Sequence, residues 1–469
     1  MRSRVLAVVP LLLSAGCAAA LRQPPVREPQ PAAPATFNTA LAQSGGAGQQ
    51  TWTQFFHDPT LDALIDEALH GNQELNIRLQ EMLIAQSEVR ARQGEYQPRV
   101  AGVAGIGVDK VGRETSQGAS DEAHDLPDPL AQFHVGFAAS WEVDAWQRLR
   151  NAARAAGFRY LASVEGRNFL VTEVVAEIAS SYYELMALDN QLDVLHRNIA
   201  IQQNALEVVR LQKEAARATE LAVQRFEAEV LKNQSRQYAL EQQRVEAENR
   251  INVLLGRYPQ PIVPGVNVFG DPFDSAVATG LPAELLDHRP DVRQAAAALE
   301  AARLDVKSAR AAFFPALSID AGLGYESFNA THLLRTPESL LANLAGHLVA
   351  PLLNRKGIEA QYAIANAQQL QAVLHYERTL LQAFTEVANQ LAMLGNLERS
   401  YGMQARQVAT LTQSIDVSNV LFQSARADYM EVLLTRRDAL DAQMELIETR
   451  NQQMQARVRM YQALGGGWR

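Results

Sequence analysis

A-Q-S-E-V-R-A-R-Q-G-E-Y-Q-P-R-V-A-G-V-A-G-I-G, residues 85–107, lies without a gap on residues 302–324, A-R-L-D-V-K-S-A-R-A-A-F-F-P-A-L-S-I-D-A-G-L-G. Ala85/Ala302, Val89/Val306, Pro98/Pro315, Gly105/Gly322 and Gly107/Gly324 coincide. In each copy a helical pattern runs up to an aromatic residue and a proline, after which the apolar period drops from about 3.6 to 2. A helix becomes a strand, twice. Two tandem copies of one long unit therefore organise the 469 residues, rather than several unrelated domains.

Each strand has a partner in its own copy. Phe133, Val135, Phe137, Ala139 and Trp141 alternate with His134, Gly136, Ala138 and Ser140. In the second copy Leu317, Ile319, Ala321, Leu323 and Tyr325 alternate with Ser318, Asp320, Gly322, Gly324 and Glu326, followed by a weaker alternation over 340–350. Strands of about 9 to 11 residues with one apolar and one polar face match what a tilted strand needs to cross a bilayer. Four such strands cannot stand as an open sheet in hydrocarbon, because the edge N–H and C=O groups would lack partners; other chains must close the tube.

Between and after the hairpins lie proline-free tracts, residues 130–258 and 352–469. In the first, Val171, Val174, Ile178, Tyr182, Leu185, Leu188, Leu192, Leu195 and Ile199 recur every three or four residues, the period of a coiled-coil seam. A helix from about Trp146 to Ala216 would extend about 105 Å at ~1.5 Å per residue. Breaks at Ala216-Arg217-Ala218-Thr219 and Ala425-Arg426-Ala427-Asp428 would fold each long helix back on itself.

The chain opens with Arg2 and Arg4, an apolar run and Ser14-Ala15-Gly16 before Cys17, its single cysteine. That reads as a signal peptide over 1–16 and a lipobox whose Cys17 is acylated; the alternative is an ordinary signal peptide with an incidental cysteine. The expected layout continues with a lipid-anchored tether rich in Pro, Ala and Gly over 17–50 and repeat one over 51–257, with helices at about 59–97 and 145–256 and strands at about 99–108 and 131–143. A linker over 258–282 follows, then repeat two over 283–469, with helices at about 283–313 and 355–464 and strands at about 315–327 and 340–350. The fold class is mainly α, with a small β component.

Formal charge is −9, which argues against nucleic acid as a partner. The nine histidines show no H-x-x-x-H or other close ligand spacing, and there is no G-x-S-x-G, phosphate-binding loop or free cysteine nucleophile in the mature part. No enzyme, metal or cofactor is expected.

Five stretches then carry a resemblance: W-T-Q-F-F-H-D-P-T-L-D-A-L-I from Trp52, S-W-E-V-D-A-W-Q-R-L-R at 140–150, L-L-D-H-R-P-D-V-R-Q-A at 285–295, A-R-A-A-F-F-P-A-L-S-I at 309–319 and A-D-Y-M-E-V-L-L-T-R-R-D-A at 427–439. In this order the chain resembles the outer-membrane factors, in their lipoprotein branch, the exit ducts of tripartite resistance-nodulation-division type efflux pumps. The resemblance implies a homotrimer with a twelve-stranded barrel in the outer membrane and a long helical barrel in the periplasm. It also implies a periplasmic adaptor and an inner-membrane transporter as partners, and passive conduction of small molecules through a gate at the periplasmic end.

Gate candidates are Leu221, Arg225, Asp428, Met430 and Leu434; the alternative is that they are ordinary coiled-coil contacts. Leu434 stands where the family commonly has an acid, pointing to a dewetting constriction rather than an ion-pair lock. The tips Ala216 to Thr219 and Ala425 to Asp428 are the expected adaptor-docking surfaces, with alanine where the family often has glycine. Asp144 and the Arg289-Pro290-Asp291 run are expected to cap or pair where elements meet. Two rivals are a duct for protein secretion and a lipid-anchored coiled-coil scaffold that conducts nothing.

Overall fold

The computed structural model describes residues 46–265, 269, 288–424 and 426–468. The signal segment, Cys17, most of the tether, most of the linker, residues 283–287 and Ala425 lie outside them. The helices are α1 Trp52–Phe56, α2 Pro59–Gly71, α3 Gln73–Glu95, α4 Ser116–Ala123, α5 Arg148–Glu214, α6 Glu220–Leu254, α7 Pro290–Ala311, α8 Lys356–Gln423 and α9 Tyr429–Ala463. The strands are β1 Arg99–Asp109, β2 Leu130–Val143, β3 Ala316–Ser327 and β4 Leu340–Val349. The molecule is thus mainly helical, with one small antiparallel sheet. None of the described helices is long and apolar enough to cross a membrane.

Two compact units result, and each draws on both copies of the repeat. The first gathers residues 82–162 and 296–375 and contains the whole sheet. Its strands run in the order β1-β2-β3-β4, all antiparallel, so the central pair β2·β3 joins the two copies. Short helix α4 lies in the β1–β2 connection, where only a polar loop is apparent from the sequence. Thr115 starts it by accepting a bond from the Gly118 N–H at 3.1 Å.

In the second unit, residues 46–81, 163–295 and 376–468, the heptad seam is the core. Val171, Val174, Ile178, Tyr182, Leu185, Leu188, Leu192, Leu195 and Ile199 are all buried, against Val387, Leu391 and Leu394 of α8 and Leu440, Met444 and Met454 of α9. A buried leucine or isoleucine contributes about 1.5–3 kcal/mol, so the seam outweighs the weak intrinsic preferences of the many polar helix residues.

Chain entry is tied down at Asp58. Its carboxylate caps α2, accepting from the N–H groups of Thr60 at 2.9 Å and Leu61 at 3.3 Å, and its other oxygen accepts the Tyr182 hydroxyl at 2.7 Å. The same hydroxyl accepts the Gly265 N–H at 2.8 Å, and burial holds its pKa well above that of a free phenol. Residues 46–50 are docked here, which shortens the tether expected to run through 50. Gly48 lies against the Leu464 carbonyl, so close that a Cβ would sit 2.2 Å from its oxygen, and Tyr461 donates its hydroxyl to the Gln50 carbonyl at 2.6 Å. Only glycine permits that approach.

Candidate functional site

Strand register decides the two faces of the sheet, because residues directly opposite in an antiparallel pair point to the same side. Phe137 stands opposite Gly102 and Leu323, Val135 opposite Ala104 and Tyr325, Ala139 opposite Val100 and Ala321, and Trp141 opposite Ile319. Across β3 and β4, Leu317 meets Leu348, Ala321 meets Leu344 and Tyr325 meets Leu340. This face carries no polar side chain other than Ser327, opposite Phe133, the Tyr325 hydroxyl and the Trp141 indole. The tyrosine makes a 3.0 Å hydroxyl contact with Thr336, and the tryptophan donates to the Tyr96 carbonyl at 3.1 Å.

The opposite face collects Arg99, Gln132, His134, Ser140, Glu142, Ser318, Asp320, Glu326, Asn343 and His347. His347 lies 3.6 Å from Asp320, and Gln132 donates to Asp109 at 2.9 Å. Ile106, Phe137 and Leu344 on the apolar face are 80%, 65% and 78% exposed, so none of the described residues covers them. An apolar side of this extent suits lipid, and the polar side suits water.

The hairpin tips belong to the second unit. α5 ends in a Schellman turn: the Arg217 N–H bonds the Gln212 carbonyl at 2.7 Å and the Ala216 N–H bonds the Lys213 carbonyl at 2.9 Å. That places Ala216 at φ +58°, the left-handed conformation that its Cβ disfavours. Thr219 caps α6 by accepting from the Ala222 N–H at 3.2 Å, and Lys213 pairs with Glu220 across the turn. The second tip repeats the outer bond, Arg426 N–H to the Leu421 carbonyl at 2.8 Å. Asp428 stands at the start of α9 without making a side-chain cap.

Of the gate candidates, the structure joins Arg225 and Met430, with the guanidinium 3.3 Å from Sδ. Leu221, Arg225 and Asp428 are exposed, Met430 is half-buried and Leu434 is 39% exposed. Beneath them Leu206, Val209, Ala222, Val223, Phe226, Val230 and Leu433 form a separate apolar cluster, with Tyr429 packed on it. Phe226 and Tyr429 lie 6.4 Å apart, a pairing that no local pattern announces because it links α6 to α9. Arg436, also unforeseen, donates to Asn419 at 3.2 Å, and burial lowers its pKa from the ordinary value.

The signature residues hold elements together. Asp144 caps α5, accepting from the N–H groups of Leu149 at 3.1 Å and Arg150 at 2.8 Å. Arg289 is 4% exposed and grips Asp291 through two bonds of 3.0 and 2.7 Å, Glu386 at 2.7 Å and the Ala463 carbonyl at 2.9 Å. It fastens the start of α7 to α8 and the end of α9. Among the described residues no group of three or more His, Cys, Asp or Glu is placed to hold a metal.

A family model, "Outer membrane efflux protein", matches residues 64–257 and 281–466, two segments that fall on the two copies of the repeat. The chain belongs to the outer membrane efflux protein family. This family member is 30% identical to the pyoverdine export outer membrane protein OpmQ of Pseudomonas aeruginosa, over 92% of this chain and 90% of that one. It is 27% identical to the cation efflux system protein CusC of Escherichia coli K12, over 93% and 94% of the two chains. A crystal structure of CusC superposes with a TM-score of 0.82 at 26% identity, covering 95% of this chain and 99% of that one. The open-state MtrE outer membrane channel of Neisseria gonorrhoeae, at 22% identity, shares the fold with a TM-score of 0.83. This efflux protein is accordingly an outer-membrane channel reaching into the periplasm.

Proposed function

We propose that three copies of this chain close a twelve-stranded barrel and form the exit duct of a tripartite efflux pump. The observation that carries this is a sheet face, apolar but for Trp141, Tyr325 and Ser327 and therefore the lipid-facing one, bounded by β1 and β4, whose outer edges have no strand partner among the described residues. In hydrocarbon those edge groups need partners, and each chain supplies four strands. Exposed apolar residues on the long helices, among them Leu211, Leu231 and Val420, are further surface for neighbouring copies.

The duct conducts passively and takes its driving energy from an inner-membrane transporter joined through a periplasmic adaptor. The adaptor docks on the tips Ala216 to Thr219 and Ala425 to Asp428. Relatives carry names for pyoverdine, cation and toluene export, which supports a common conduit whose cargo is chosen upstream. Leu221, Arg225, Asp428, Met430 and Leu434 line the closing end, with Met430 and Leu434 as its apolar constriction. Cys17, once acylated, anchors the mature N-terminus to the membrane.

The test is the native mass of the detergent-extracted protein with its N-terminus resolved, repeated on Cys17→Ser. A trimer that stays embedded without Cys17 supports the duct. A monomer that washes free of the membrane once Cys17 is replaced overturns it in favour of an anchored scaffold.

A further inference from the structure

At the helix–sheet junction of the first unit lies a groove of about 490 Å³ that conduction does not use. It runs between α3 and α5, walled by Val89, Tyr96, Phe158 and Leu161, with Arg150 and Arg154 at its lip. Helical spacing makes it so, since Arg150, Arg154 and Leu161 recur on one side of α5. Gly157 leaves the floor open, and a Cβ there would meet no heavy atom within 4 Å.

Two observations bear on the occupant. Arg148 and Arg159, on other sides of α5, are paired with Glu142 and Asp305. Arg150 and Arg154 have no carboxylate within ion-pair distance among the described residues; Arg150 instead lies over the Tyr96 ring, 5.6 Å from its centroid. The groove also adjoins the lipid-facing surface. Trp141, on the apolar sheet face, donates its indole N–H to the carbonyl of Tyr96, so the groove begins where that face ends. That is the depth at which aromatic rings and lipid phosphates meet.

We propose that this groove seats a glycerophospholipid from the leaflet at the helical end of the sheet. Arg150 and Arg154 hold its phosphate, and Val89, Phe158 and Leu161 lie along the first part of an acyl chain. Guanidinium suits the task because its planar fork bonds two phosphate oxygens at once, and stacking on Tyr96 holds one fork in place. The assignment rests on the lipid-facing sheet and not on the gate or on any pump partner.

The test is native mass spectrometry of the full detergent-extracted protein, delipidated and titrated with 1-palmitoyl-2-oleoyl-phosphatidylglycerol. Saturable retention of one lipid per chain is expected. Loss of two charge-assisted bonds should weaken it by about tenfold or more in Arg150→Ala/Arg154→Ala. Gly157→Leu, which fills the floor from a position with free space, should abolish retention while the assembly mass and melting temperature stay unchanged. Equal retention in the wild type and both variants overturns the proposal. So does displacement of the lipid by inorganic phosphate alone, which marks a bare anion site. A disulfide between two copies of Leu161→Cys also overturns it, because a second copy then covers the groove.

Discussion

Phe137 gives the sharpest test of which side of the sheet meets lipid. It stands mid-strand, opposite Gly102 and Leu323, and is 65% exposed. A phenylalanine side chain of roughly 200 Å² exposed to that extent leaves about 130 Å² for lipid, worth about 3 kcal/mol at about 25 cal/mol per Å². Phe137→Ala should forfeit most of that. Phe137→Arg should add about 2–4 kcal/mol, the cost of a basic side chain near the bilayer midplane. Its neighbour Ala138 points to the polar side, opposite Ala101 and Gly322, so Ala138→Arg should cost about 1 kcal/mol or less. The assay is reversible folding into phospholipid vesicles against urea, each variant compared with wild type. Equal penalties for arginine at 137 and 138 would refute the assignment of faces, and with it the closed barrel.

Arg289→Ala should lower stability by about 3 kcal/mol, because it strands Asp291 and the end of α9 without their shared cation; Glu386, half exposed, relaxes into solvent. Melting in detergent reads this, and Arg289→Lys should recover little, since an ammonium cannot reproduce the two-bond fork to Asp291. Met430→Ser/Leu434→Ser should raise single-channel conductance and antibiotic leak severalfold by wetting an apolar constriction; unchanged conductance and susceptibility would reduce both to packing residues. At the first tip, Lys213 holds the Glu220 carboxyl below its ordinary value of 4.5. That contribution is fully present above pH 4.5 and is lost as pH falls through the lowered pKa. Amide exchange over residues 212–222, corrected for intrinsic rates, should therefore quicken in wild type as pH falls through that lowered pKa, and Lys213→Met should show no such step. Thr219→Ala removes the cap on the Ala222 N–H and should destabilise the same turn by about 1 kcal/mol, read by the same exchange measurement.

Much of this protein is legible in the residue order alone. The duplication around Pro98 and Pro315, the alternation through Phe133 to Trp141 and the seam from Val171 to Ile199 are periodic, and period fixes which side of a strand or helix is apolar whatever lies elsewhere. The turn at Ala216 was visible as a break, but its left-handed backbone was not, because alanine argues against φ +58° and the Schellman bonds of Arg217 and Ala216 impose it. What only the tertiary structure decided is who meets whom at long range. β2 of one copy pairs with β3 of the other, Tyr182 reaches Asp58 across 124 positions, and Arg225 meets Met430 across 205. The same structure makes each compact unit a mixture of both copies. A local period specifies the face an element must bury, but many partners satisfy that demand equally well. The choice among them is made by packing and polar satisfaction, which depend on residues hundreds of positions apart arriving at one place.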